Sequence, residues 1–148
     1  MNIQVQVPIN ASKADIWAAI TNIRGAVDRV SGIEQVEILE EPADGLIGLK
    51  WRETRTLFGK TATEIMWITE AEPEAYYLTR AESHGAIYIS EMAIVEEGGQ
   101  NFLRMAFQGE GQTFMAKLMS TLMGPLVKGA TRKAMEQDLL DIKQSLES

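Results

Sequence analysis

The 148-residue chain carries 14 basic against 21 acidic residues, a formal net charge of −7. That excess repels phosphate backbones and anionic lipid surfaces, which argues against nucleic acid as a partner and against stable membrane insertion. With 45% hydrophobic and 24% charged residues, the chain has the make-up of one globular domain, residues 1–148, around a packed interior.

Cysteine is absent, which excludes disulfides, thiolate zinc sites and cysteine nucleophiles and leaves the chain indifferent to redox compartment. There is no basic and apolar leader at the start and no apolar run of about 18 residues, so a cytoplasmic location is expected. Asn10-Ala11-Ser12 spells a glycosylation sequon, but Ser12 is better explained as a helix cap.

Ile3, Val5 and Val7 alternate with Asn2, Gln4 and Gln6, the period of a strand with one buried face, and Pro8 ends it. Ser12 and Asp15 then open a short helix, Ser12 accepting from an early backbone N–H and Asp15 favoured by the positive helix end. Ile16, Trp17 and Ile20 keep helical spacing. A second short helical stretch, roughly 23–30, closes at Ser31-Gly32.

Extended stretches follow at about 34–41, 48–57, 60–70, 75–83, 86–96 and 101–108, punctuated by Phe58-Gly59, Glu72-Pro73, His84-Gly85 and Gly98-Gly99. The connections are too short for crossover helices, so the sheet is predicted to be antiparallel. After Gly109-Glu110-Gly111 the character changes to a helical run from about 113 to 146, which carries the stripe Met135, Leu139, Ile142 and Leu146. A straight helix of that length spans roughly 50 Å, well beyond a domain with a radius of gyration near 15 Å. Gly124-Pro125 is therefore expected to divide it into two pieces.

This order resembles the helix-grip fold of the START and pollen-allergen-like (SRPBCC) superfamily, more narrowly its polyketide cyclase/dehydrase and lipid-transport branch. The likeness covers nearly the whole chain and is carried by the segment from Trp51 to Lys60, by Ala62-Thr63-Glu64-Ile65-Met66, by Ser83-His84-Gly85 with Tyr88, and by Asp138-Leu139-Leu140-Asp141-Ile142-Lys143. It implies an α+β fold in which a curved, seven-stranded antiparallel sheet wraps a long C-terminal helix, with two short helices after the first strand. The space between sheet and helix would be a cavity for a small hydrophobic or amphipathic ligand. None of these segments is a catalytic fingerprint, and one scaffold of this kind serves many roles.

Alternation offers each strand two faces. In related hormone receptors a glutamate on the matching strand faces the cavity. With Glu64 in that place, Ala62, Met66 and Ile68 point inward, and Trp51, Glu53 and Arg55 join them from the preceding strand. Tyr77, Thr79, Ala81 and Ser83 follow on the next strand, then Tyr88, Ser90, Met92 and Ile94, and finally Leu103, Met105 and Phe107. Met115, Met119 and Met123 on the helix could make an adaptable wall. The likeness also implies a gate at Phe58-Gly59.

The ligand-contacting set expected on this basis is Trp51, Glu53, Arg55, Glu64, Met66, Tyr77, Tyr88, Ser90, Met92, Met105, Phe107 and Met119. Arg55, Glu64 and Tyr88 are the candidates for catalysis, able to polarise a carbonyl and move a proton. His84, the only histidine, reads as a turn residue, and no metal or other cofactor is expected. Nucleotide-binding loops and the G-x-S-x-G elbow are missing. The leading expectation is binding or carriage of the ligand. A cyclase, dehydratase or isomerase using the same polar groups is the alternative, and an interaction module with an exposed patch around Ile65 and Trp67 the third.

Overall fold

The computed structural model describes every residue except Met1, Phe58, His84, Gln112 and Thr113, and every side chain of the described residues except those of Leu57, Lys60 and residues 111–127. The expectations placed on Phe58, His84, Met115, Met119 and Met123 therefore lie outside the described residues or side chains.

The described residues form one antiparallel sheet of seven strands: β1 (Asn2–Ile9), β2 (Ile33–Glu40), β3 (Lys50–Leu57), β4 (Lys60–Glu72), β5 (Tyr76–Ser83), β6 (Ala86–Glu97) and β7 (Gln100–Gly111). Their spatial order is β1-β7-β6-β5-β4-β3-β2. Strands β2 to β7 form a meander, and β1 returns to pair with β7, so β1 and β2 lie at opposite edges although they are consecutive in sequence. The link between them carries α1 (Lys13–Thr21) and α2 (Ala26–Arg29), and α3 (Phe114–Glu147) packs on β1, β7, α1 and α2.

The strict alternation of β1 buries Ile3, Val5, Val7 and Ile9, as period-two spacing on a one-sided sheet requires. Ser12 Oγ accepts from the Asp15 amide at 3.1 Å, which caps α1. At its far end Arg29 donates to the carbonyls of Ala19 (2.7 Å) and Asn22 (2.8 Å), satisfying groups that the helix leaves without partners. Helix α2 is shorter than the spacing suggested, and Ile23 and Val30 on either side of it enter the core instead.

Two expectations are corrected. The last strand does not stop at about 108: it runs on through Gly109-Glu110-Gly111, which pair with Tyr88, Ile87 and Ala86 of β6, because partner strand length overrides local breaking tendency. Gly109 faces Tyr88 directly, and a Cβ there would lie 3.1 Å from that ring. The C-terminal helix is one uninterrupted element through Gly124-Pro125 rather than two pieces. Proline removes one hydrogen bond from the ladder, and the strong helix formers on both sides carry the helix across it.

Irregularities in pairing decide which residues face inward. A register shift between Ile68 and Glu70 moves the inner face of β4 from Ile68 to Ala71, opposite Tyr77. Shifts in β2 likewise carry the inner face from Ile33 to Val36 and Ile38. The core centres on Ile9, Ile16, Ile68, Leu103 and Leu139, all less than 2% exposed.

Two carboxylates tie the end of α3 to the links between elements. Asp141 accepts from the Ser31 amide (2.9 Å) and hydroxyl (2.8 Å) and from Gln137, and Glu147 accepts from the Asn10 amide and from Lys143, both at 2.8 Å. Burial pushes the Asp141 pKa up, but the Ser31 and Gln137 hydrogen bonds together outweigh it and hold the carboxyl below its ordinary value. The Asn10 amide and Lys143 hold Glu147 below its own. A depressed folded pKa gives stability that is present above the unfolded value, near 4, and lost as pH falls through the folded one. Asp141→Asn should therefore cost up to about 1 kcal/mol at pH 7 and flatten the acid limb of stability measured by urea unfolding between about pH 2 and pH 5.

Candidate functional site: a cavity between sheet and helices

The inner faces of β3 to β7, the end of α1, α2 and the C-terminal half of α3 line a partly open cavity of about 370 Å³. Most of its wall is apolar: Ile20, Ile23, Val30, Met92, Met105 and Met135 all contribute. From the expected set, Trp51, Glu53 and Arg55 line it from β3, Glu64 and Met66 from β4, and Tyr77 from β5. Ser90 and Met92 line it from β6, and Met105 and Phe107 from β7. The pairing explains why they meet, since Trp51 faces Met66 and Glu53 faces Glu64 across β3 and β4, while Ser90 faces Phe107 and Met92 faces Met105 across β6 and β7.

Tyr88 does not line the cavity. Its ring stacks on Phe107 with centroids 5.6 Å apart and planes 22° apart. Burial first, and then the Glu64 charge, push its phenol above the ordinary value. Tyr77 does line the cavity, but its hydroxyl donates to the Ile20 carbonyl at 3.0 Å and its ring meets Trp17 edge-on at 6.2 Å. It ties β5 to α1, and burial pushes its pKa far up.

The polar centre is a buried triad. Arg55 donates through Nε to Glu53 Oε2 at 2.7 Å, and through Nη1 and Nη2 to Asp138 Oδ1 and Oδ2 at 3.2 and 2.8 Å. The side chains are 24%, 11% and 8% exposed for Arg55, Glu53 and Asp138, too little for water to screen the pair as at a surface. Trp51 Nε1 donates to the other Glu53 oxygen at 3.3 Å. Burial disfavours the Arg55 charge, yet Asp138 and Glu53 outweigh it and raise the guanidinium pKa. Burial pushes the Asp138 carboxyl up, Arg55 pulls it back only in part, and Glu53 and Asp141 add to the push.

Asp138 is the member that sequence reasoning missed. It stands three residues after Met135 and four before Ile142, on the face that enters the cavity, and an aspartate on an apolar helix face is the signal that could have found it. Glu64, expected to share the charge of Arg55, lies opposite Glu53 on the same inner face. On the other face of β4, Ile65 is exposed and Trp67 is half-buried beneath Lys50, whose Nζ lies 5.7 Å from the ring centroid. Among the described residues no cluster of three or more His, Cys, Asp or Glu side chains is placed to hold a metal, and no helix is long and apolar enough to cross a membrane.

At the sequence level no protein-family model and no curated protein matches the chain. Solved structures match it over its full length. The protein TTHA0849 from Thermus thermophilus superposes with a TM-score of 0.81 at 14% identity, covering 99% of this chain and 97% of that one. Major latex-like protein 151 from Panax ginseng gives 0.78 at 11% identity over 100% and 98%. The Zhui aromatase/cyclase from Streptomyces sp. R1128 gives 0.75 at 16% identity over 99% and 93%. Together with the observed topology, this likeness establishes the chain as a helix-grip fold, a curved antiparallel sheet closed by a long C-terminal helix.

Proposed function

We propose that the protein binds a small apolar or amphipathic molecule in the cavity between its sheet and helices. One observation carries this reading: described side chains leave about 370 Å³ open inside the fold, whereas protein interiors are otherwise packed with few voids larger than a water molecule. Ligand sites begin at about this size and pair an apolar wall with a few placed polar groups. The triad of Glu53, Arg55 and Asp138 supplies those groups here.

A cyclase or dehydratase activity in the same cavity draws support from the likeness to an aromatase/cyclase and from Arg55 and Glu64 sharing the lining. Against it, Arg55 is held by two carboxylates and Tyr88 lies off the cavity wall. Binding without chemistry is therefore the reading we adopt. The interaction-module reading needs a filled interior, which the open cavity disfavours.

The neutral probe N-phenylnaphthylamine tests the proposal. Saturable binding should raise the stability of the protein by about 2.7 kcal/mol when the probe is present at 100 times its dissociation constant, read as a shift of the thermal midpoint. Absence of saturable binding by this probe and by a panel of neutral apolar compounds of similar size would sink it.

A further inference from the structure

The polar side chains on the cavity wall divide into those the protein engages itself and those it leaves open. Every charged lining group is of the first kind. Glu53, Arg55 and Asp138 hold one another, and Arg29 donates to the carbonyls of Ala19 and Asn22. Glu91 accepts from Arg104 at 3.0 Å, and Glu64 has a partner too. Trp51 Nε1 and the Tyr77 hydroxyl are likewise committed, to Glu53 and to the Ile20 carbonyl. What is left is neutral: the hydroxyls of Thr79, Ser90 and Thr131, which have no hydrogen-bond partner among the described residues.

Two of these hydroxyls stand together. Thr79 and Ser90 are direct cross-strand partners on the inner face of β5 and β6, which places their Cβ atoms about 5 Å apart. The row they share is otherwise apolar: Thr79 faces Ile68 on its other side, Ser90 faces Phe107, and Phe107 faces Ile3. Thr79 is only 8% exposed, and a buried hydroxyl without a partner carries a cost that valine, of the same shape, would not. Neither oxygen is sealed in, since Arg104 Nε is the one described side-chain N or O atom that is both buried and unpartnered. Both hydroxyls therefore open on the cavity that their residues line.

We infer that Thr79 and Ser90 form a subsite for a neutral oxygen, a hydroxyl or a carbonyl on an otherwise apolar ligand, and that the cavity discriminates against charged end-groups. This rests on the reading of the cavity as a ligand site. Each hydroxyl can donate and accept, so the pair brackets an alcohol or phenol with one hydrogen bond of each sense, or a carbonyl with two donated ones. A carboxylate or ammonium entering the cavity gives up its hydration, and the charged groups of the lining are already committed within the protein.

Four probes on one scaffold, naphthol, methylnaphthalene, naphthoate and naphthylmethylamine, all substituted at the same ring position, test this by displacement of N-phenylnaphthylamine at pH 7. Naphthol should bind at least about tenfold tighter than either charged probe. Thr79→Val and Ser90→Ala should each lower the affinity for naphthol relative to methylnaphthalene by at least about fivefold, the effect of leaving one hydroxyl unsatisfied. The thermal midpoint of ligand-free Thr79→Val should stay at or above that of wild type. The ratio between the two neutral probes cancels any general change in the cavity, which moves both alike. An unchanged ratio in every variant that folds overturns the inference, and so does a charged probe that binds as tightly as naphthol; both results leave the ligand cavity standing. Absence of saturable binding by N-phenylnaphthylamine and by all four probes overturns the cavity reading as well.

Discussion

Arg55→Met should destabilise the fold by about 3–5 kcal/mol at pH 7, the cost of leaving buried charges without their partner. The substitution keeps an unbranched chain in place but strands Glu53 and Asp138, 11% and 8% exposed, with no cation between them. For a chain of this size the thermal midpoint should fall by about 6–20 °C, at 2–4 °C per kcal/mol. The loss should depend on pH with a definite sign. Carboxyls whose folded pKa rises above the unfolded value contribute stability that is present below the unfolded value and lost as pH increases through the folded one. The deficit of the variant relative to wild type should therefore shrink as pH falls from 7 toward 4. Adding Asp138→Leu should recover part of the loss, because replacing a buried ion pair by apolar groups is often close to neutral. A deficit under about 1 kcal/mol, flat with pH, would mean that the triad behaves as a solvated surface network and would remove the polar anchor from the proposed site.

The architecture was legible because it is written in local periods. Alternation along β1 and the breakers between β2 and β7 specify strands and turns without knowledge of any distant residue, and the short connections exclude parallel pairing. The inward direction of Glu53, Arg55 and Glu64 followed from one assumption about one strand, since antiparallel pairing propagates a face choice from β4 to β3. What stayed hidden depended on partners far along the chain. The Arg55–Asp138 pair joins residues 83 positions apart, and no local pattern says which cation an inward aspartate will meet. The last strand reads as ending near 108, yet β6 is long enough to keep Gly109 and Gly111 in the ladder. Tyr88 shares the inner parity with Ser90, but its ring lies over Gly109 and against Phe107, a placement that alternation cannot express. The shift at Thr69 changed face parity within β4, and nothing in its residues marks a bulge.

Ala134→Phe should weaken binding of neutral apolar probes about 100-fold while changing stability little. Ala134 lines the cavity from α3, close in sequence to Met135 and Asp138, so a benzyl group in its place projects into space a ligand would use. Overfilling a closed core costs about 1–3 kcal/mol. If the cavity is open to the new ring, that penalty falls on the ligand, and 1.4 kcal/mol corresponds to tenfold in affinity, so about 2.8 kcal/mol gives the stated loss. Stability itself should move by less than about 1 kcal/mol, since the ring gains apolar contacts where none existed. Leu140→Phe, at a position 50% exposed on α3 and outside the cavity lining, is the control and should leave affinity unchanged. Titration of both variants with N-phenylnaphthylamine separates the possibilities. Unchanged affinity in Ala134→Phe would place the ligand elsewhere, and the hollow along β1, β5, β6 and β7 lined by Gln4, Leu78, Ile89 and Gln108 would then be the surface to block next. A large loss of stability in Ala134→Phe would instead mean that the interior closes around Ala134 more tightly than a ligand chamber should.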